Sequence, residues 1–102
     1  MYGLIGNILC VPRQRDTLAA ILAHGTVDMP GCRSYVIAHD AANPDGLWIT
    51  EVWDDPASHK ASLALPAVRA AIMSGRPLIA GFGQRIETRP IDAPAAGIEA
   101  PD

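Results

Sequence analysis

Basic residues are scarce in this sequence. Eight lysines and arginines stand against eleven acids over 102 residues, for a net charge of −3, and they form no stripe. That excludes the electrostatic footprint of a nucleic-acid binder. Cysteine is limited to Cys10 and Cys32, with neither a metal-ligand spacing nor a C-x-x-C arrangement. Both are expected as small buried thiols on strands that are not neighbours, too far apart to bridge. No apolar run approaches the ~20 residues of a bilayer span. The opening MYGLIGNILCVPR lacks a positive leader and a small-residue cleavage pattern. The chain therefore reads as cytoplasmic, without a membrane partner, and as one domain with a real but thin core.

What is there centres on Gly46 to His59, GLWITEVWDDPASH. Leu47, Trp48, Ile49, Val52 and Trp53 are apolar on both parities of a strand, so neither face can comfortably meet water. Glu51 sits inside that run. Asp55 followed by Pro56 is a helix entry, with Asp55 as the N-cap. Upstream, Tyr2 to Val11 is a strand whose two parities are again largely apolar, Asn7 being its one strongly polar side chain, and Pro12 ends it. Leu18, Ile21, Leu22, Gly25 and Met29 form the stripe of a first helix over Gln14 to Asp28, with Arg13 and Arg15 opposing the dipole at its poorly capped start. Cys32 to His39 is a second strand, and the turn cluster Asp40 to Asp45 joins it to the central stretch as a hairpin.

The second helical region starts at Asp55-Pro56, is interrupted by Pro66 and resumes through Val68, Ile72 and Met73, with Gly75 as its expected C-terminal cap. That predicts two helical pieces or one kinked helix. Leu78 to Gly81 reads as an apolar connector, and Phe82 to Arg89 as a fourth strand with Phe82, Gln84, Ile86 and Thr88 on one face. Residues 1–89 form the domain and residues 90–102 a Pro/Ala-rich tail. The order β-α-β-β-α-β is the ferredoxin-like split unit, an α+β fold with helices on one face of a four-stranded antiparallel sheet. Two-sided strands then require a cover for the other face, and a second copy related by a two-fold axis is the economical one, so a homodimer is expected.

The segments YGLIGNI, DMPGCRSY, WITEVWDDPASHKASL with LPAV, and AGFGQRIET resemble the antibiotic biosynthesis monooxygenase (ABM) superfamily of dimeric α+β barrels, in its quinol-monooxygenase-like branch. The resemblance covers Met1 to Thr88, and P-G-C-x-S-Y (Pro30 to Tyr35) and E-V-W (Glu51 to Trp53) are its most specific parts. It implies a cofactor-independent oxygenation by O₂ of a quinol-like or polyphenolic substrate, a small aromatic compound, without metal or flavin. Where many members carry histidine before the leucine of helix two and after the following proline, this chain has Ser62 and Ala67. Asn7 matches the asparagine of the haem-degrading branch, but that branch's tryptophan and histidine positions fall on Ser62 and near Ile72, so haem degradation is rejected. A non-catalytic ligand-binding domain and an isomerase on the same barrel are the alternatives.

The candidate catalytic residues are His59, as general base beside E-V-W, and Asn7, as donor to a substrate oxygen; each also has a bland reading, an edge histidine and a satisfied strand amide. Trp53, Glu51, Tyr35 and Arg76 are the candidate substrate-binding residues. Trp53 would wall the pocket or simply fill core, with Trp48 on the opposite face. Glu51 must be paired or protonated if buried, with Arg33, Arg85 or a partner-chain group as its mate. Arg76 could attract an anionic substrate or merely be solvated. His39 and His24 read as solvated and as a helix-end cation.

Overall fold

The computed structural model describes residues 1–92. Strand β1 (Tyr2–Cys10) is central, β3 (Gly46–Trp53) lies on one side of it and β4 (Ile79–Thr88) on the other, and β2 (Cys32–His39) flanks β3, all antiparallel in the order β2-β3-β1-β4. Cross-strand partners share a face. Tyr2 therefore lies with Trp53, Leu4 with Glu51, Gly6 with Ile49 and Ile8 with Leu47. This face carries the helices α1 (Arg15–Gly25), α2 (Pro56–Ser62) and α3 (Pro66–Gly75). Two core clusters form beneath them. Leu18 of α1 packs on Cys10 and Leu47, and Val68 of α3 packs on Trp53 and Met29. Leu18 and Leu47 are fully buried, worth about 1.5–3 kcal/mol each in transfer terms. The fold is α+β and ferredoxin-like, with its second helical region divided at Pro66, which cannot donate an N–H to a continuous helix.

The caps follow the sequence in part. The Asp55 carboxylate accepts the Ser58 N–H at 2.7 Å and Pro56 occupies the first turn of α2. Gln14, ahead of α1, makes no side-chain cap. Helix α1 stops at Gly25, short of the expected Asp28, because the Thr26 hydroxyl donates to Leu22 O at 2.7 Å and Asp28 takes a left-handed backbone, φ 53°. Gly75 does not act as a left-handed cap. The chain runs on into a 3₁₀ turn, Arg76–Leu78, and Gly75 makes room instead: a Cβ there would lie 2.9 Å from Leu18 Cδ1.

Strand β4 departs most from expectation. It begins at Ile79, which pairs with Cys10, so most of the expected connector is strand. Its faces are also not the expected ones. Arg85 pairs with Gly6 but Phe82 pairs with Ile8, three residues against two, so β4 bulges between them. The extra residue reverses the alternation. Phe82 and Arg85 lie on the helix side, while Ile86, paired with Ile5, lies on the open side. Gly83 sits in the bulge against the Asn7 side chain, where a Cβ would collide.

The open face carries Ile5 and Leu9 of β1, Trp48 and Val52 of β3, Val36 of β2 and Ile86 of β4, of which Leu9, Val36 and Ile86 are exposed in the single chain. Both cysteines are free thiols, on strands separated by β3. Among the described residues no helix is long and apolar enough to cross a membrane. The tail expected from Pro90 onward lies, past residue 92, outside the described residues.

Candidate functional site

Alternation along β3 points Ile49, Glu51 and Trp53 toward the helices. Register then brings Tyr35 of β2 opposite Glu51, with Leu4 on its other side. The Asp55 cap starts α2 directly after β3 and swings its first turn back over the sheet. His59 consequently lies 5.6 Å from the Trp53 ring, edge to face, and 5.8 Å from the Tyr2 ring. The Ser62 hydroxyl, on the buried side of the same helix, donates to His59 O at 2.6 Å.

These side chains wall two adjoining hollows between sheet and helices. The smaller, 110 Å³, is bounded by Tyr35, Glu51, Trp53 and His59 among apolar neighbours. The larger, 330 Å³, shares Tyr35, Glu51, His59, Leu22 and Leu63 with it and extends over Gly6 toward Phe82 and Arg85. Four of the six candidate residues, Tyr35, Glu51, Trp53 and His59, are thus brought together.

Asn7 also borders the larger hollow, whereas Arg76 does not. Asn7 belongs to the strand under the larger hollow, but its register partner is Trp48 on the open face, and its Nδ2 donates to Leu47 O at 3.0 Å. The sheet separates its side chain from His59, and its amide is committed to the backbone. Arg76, in the turn after α3, borders a neighbouring 620 Å³ apolar hollow that meets the first at Ile8, Leu22 and Phe82. Glu51 also departs from expectation. Arg33 pairs with Asp54 at 2.6 Å and Arg85 with Glu87 at 3.3 Å, whereas Glu51 accepts the Trp53 indole N–H at 3.0 Å. An indole donor satisfies one carboxylate lone pair without neutralising the charge. His39 pairs with Asp16 at 2.9 Å on the exposed surface.

Electrostatics follow from this packing. The Tyr35 phenol is pushed far above its usual range, first by burial and then by the nearby Glu51 carboxylate and the Cys32 thiol, so it stays a neutral hydrogen-bond donor. Burial likewise raises the Cys32 thiol. The site therefore offers a neutral phenol donor, a carboxylate held by an indole, and an imidazole able to accept a proton, all against largely apolar walls. Among the described residues no three His, Cys, Asp or Glu side chains group at metal-ligand range. Sequence patterning did not single out Gly6, and it named Arg85 only as a mate for Glu51, not as a residue beside the hollow. The bulge hides Arg85 from strict alternation, and the one hint was a glycine, Gly83, in a strand.

Comparison with known proteins agrees with this architecture. The family description "Antibiotic biosynthesis monooxygenase" matches residues 1–73. A crystal structure from Chloroflexus aurantiacus J-10-fl, titled as a candidate antibiotic biosynthesis monooxygenase, is 56% identical, covers 94% of this chain and 98% of its own, and superposes with a TM-score of 0.90. A similarly titled protein of Deinococcus radiodurans is 25% identical over 98% of this chain and 100% of its own, TM-score 0.75. One from Nitrosomonas europaea, 12% identical over 90% of this chain and 100% of its own, shares the fold at a TM-score of 0.80. No curated protein matches the chain.

Proposed function

From the premise that the chain belongs to the antibiotic biosynthesis monooxygenase family, we propose that it oxygenates a small quinol-like or polyphenolic compound with O₂, drawing its electrons from the substrate itself. The observation that carries this reading is the convergence of Tyr35, Glu51 and His59 on two adjoining, largely apolar hollows between sheet and helices, with Trp53 walling the smaller. His59 takes the proton from a substrate hydroxyl. The resulting phenolate is electron-rich enough to pass one electron to O₂, and the radical pair collapses to a peroxide that loses water. One oxygen atom enters the ring, the other leaves as water, and all four electrons that O₂ accepts come from the quinol, which leaves as a hydroxyquinone. Tyr35, a neutral donor, hydrogen-bonds a substrate oxygen. The Trp53 indole holds the Glu51 carboxylate in one orientation beside it.

Asn7 has no part in this scheme, since its amide serves Leu47 O. Arg76, at the neighbouring hollow, would meet only substituents that extend beyond the reacting ring. The open sheet face fits a second copy of the chain, packed sheet to sheet about a two-fold axis. Ile5, Leu9, Val36, Trp48, Val52 and Ile86 supply the apolar surface that such a pairing covers.

The test is oxygen uptake with a panel of hydroquinones in chelator-treated buffer. Stoichiometric uptake is expected, and His59→Ala should lower the rate by about 10²–10⁴-fold, the usual worth of a positioned base. Binding of the same compounds with no oxygen consumption would make the protein a ligand-binding module and overturn the proposal.

A further inference from the structure

Gly6 lies mid-strand in β1, where glycine weakens a sheet and needs a reason. Most of the other described glycines give theirs, and Gly81, whose Cβ would meet only Leu9 Cδ1 at 3.9 Å, lines the neighbouring hollow instead. At Gly3, Gly25, Gly31, Gly46, Gly75 and Gly83 a Cβ would come within 3.0 Å of a neighbouring side chain. At Gly6 a Cβ would meet nothing within 4 Å. Nor does the backbone ask for glycine, because among the described glycines a positive φ occurs at Gly31. The nearby bulge is served by Gly83 on the opposite strand. A second copy of the chain does not explain Gly6 either. Its register partners, Ile49 and Arg85, place its missing side chain on the helix side, away from the open face. The space above it belongs to the 330 Å³ hollow that also holds Tyr35, Glu51 and His59.

We propose that Gly6 is the substrate platform: a bare stretch of peptide plane on which a fused-ring phenol lies flat, its hydroxyl edge toward His59 and Tyr35. The inference rests on the reading that this hollow binds an aromatic substrate, and it deepens that reading by naming the residue that selects for planarity. Leu4 and Ile8, the next helix-side residues along β1, flank Gly6 and stand about 13 Å apart along the strand. That leaves a slot long enough for two fused rings. Across the strands, Ile49 and Arg85 bound it on either side. The backbone floor admits a flat ring at contact distance, whereas a puckered saturated ring would need more depth. Any side chain at position 6 lifts the ring off the floor and away from the base.

Calorimetric binding of 2-naphthol and of its saturated analogue decahydro-2-naphthol tests this without requiring turnover. Wild-type protein should prefer the flat compound. Gly6→Ala should retain or raise the melting temperature, since its methyl meets open space and alanine loses less chain entropy on folding. The same substitution should weaken 2-naphthol by at least about tenfold, the lower range for one methylene in an apolar pocket, and erase the preference. Gly6→Val should weaken it further. A stable Gly6→Ala protein with unchanged 2-naphthol affinity overturns the inference, as does wild-type protein that binds 2-naphthol no better than its saturated analogue. Absence of oxygen uptake alongside the predicted binding losses would overturn the oxygenase reading and leave the platform standing.

Discussion

Tyr35 shows how a single side chain acquires its character from its neighbours. Register sets it opposite Glu51, and burial together with that carboxylate disfavours phenolate. A folded-state pKa above the unfolded value means that the native protein holds this proton more tightly than the unfolded chain does. The associated stability is fully present below pH 10, the ordinary tyrosine value, and is lost as pH rises beyond it. Alkaline titration followed by phenolate absorbance should find that Tyr35 resists ionisation until the fold breaks. Tyr35→Phe should flatten the fall in melting temperature above pH 10; an equally steep fall in the variant would show that the phenol is not the group responsible. The Glu51–Trp53 hydrogen bond joins two residues of one strand, i and i+2, on one face. The E-x-W spacing alone allows that contact, because side chains two apart in a strand share a face.

Among the α-helices, α2 is the shortest. It spans seven residues, too short to persist without its cap and its packing on β3. Its start depends on the Asp55 carboxylate, whose pKa is held below the usual carboxylate range by the Ser58 backbone N–H and hydroxyl. A depressed folded-state pKa gives stability that is present above the unfolded value and lost as pH falls through the folded one. Asp55→Ala should lower the melting temperature by a few degrees at neutral pH, and the gap between variant and wild type should close in acid. A gap that persists at low pH would mean that the carboxylate's charge is not what caps the helix. Since α2 carries His59, the same variant should also loosen the candidate site. In β4 the bulge decides more than local pairing, because it puts Phe82 and Arg85 over the hollow and turns Ile86 toward the open face.

For the molecule as a whole, the unanswered demand is the open face of the sheet. Trp48 stands near its middle, with Asn7 and Ala38 as cross-strand neighbours. In the proposed sheet-to-sheet pairing this indole is buried by the second copy. Trp48→Arg would set charges facing each other across the two-fold axis, with no partner for either. The wild-type chain should sediment as a dimer at micromolar concentration and the variant as a monomer. A wild-type chain that sediments alone would remove the pairing from the proposal.

The element order, the hairpin, the break at Pro66, the Asp55 cap and the two-sided character of β1 and β3 were all legible in the residues alone. Those features depend on periodicity, proline and capping chemistry, all of which act over a few residues. The sequence also singled out His59, Glu51, Trp53 and Tyr35, since E-V-W running into a capped helix brings three of them close through local geometry. Packing of distant segments was needed to place the Asn7 side chain across the sheet from His59, Arg76 at a different hollow, the Glu51 carboxylate on an indole in place of an arginine, and Gly6 along the larger hollow. The placements of Asn7 and Gly6 depend on strand register and that of Arg76 on how the turn after α3 packs, while the Glu51–Trp53 contact that the spacing allows stands alone because Arg33 and Arg85 pair elsewhere. A single residue of slip reverses the face of everything beyond it, so no pattern within one strand can specify the outcome.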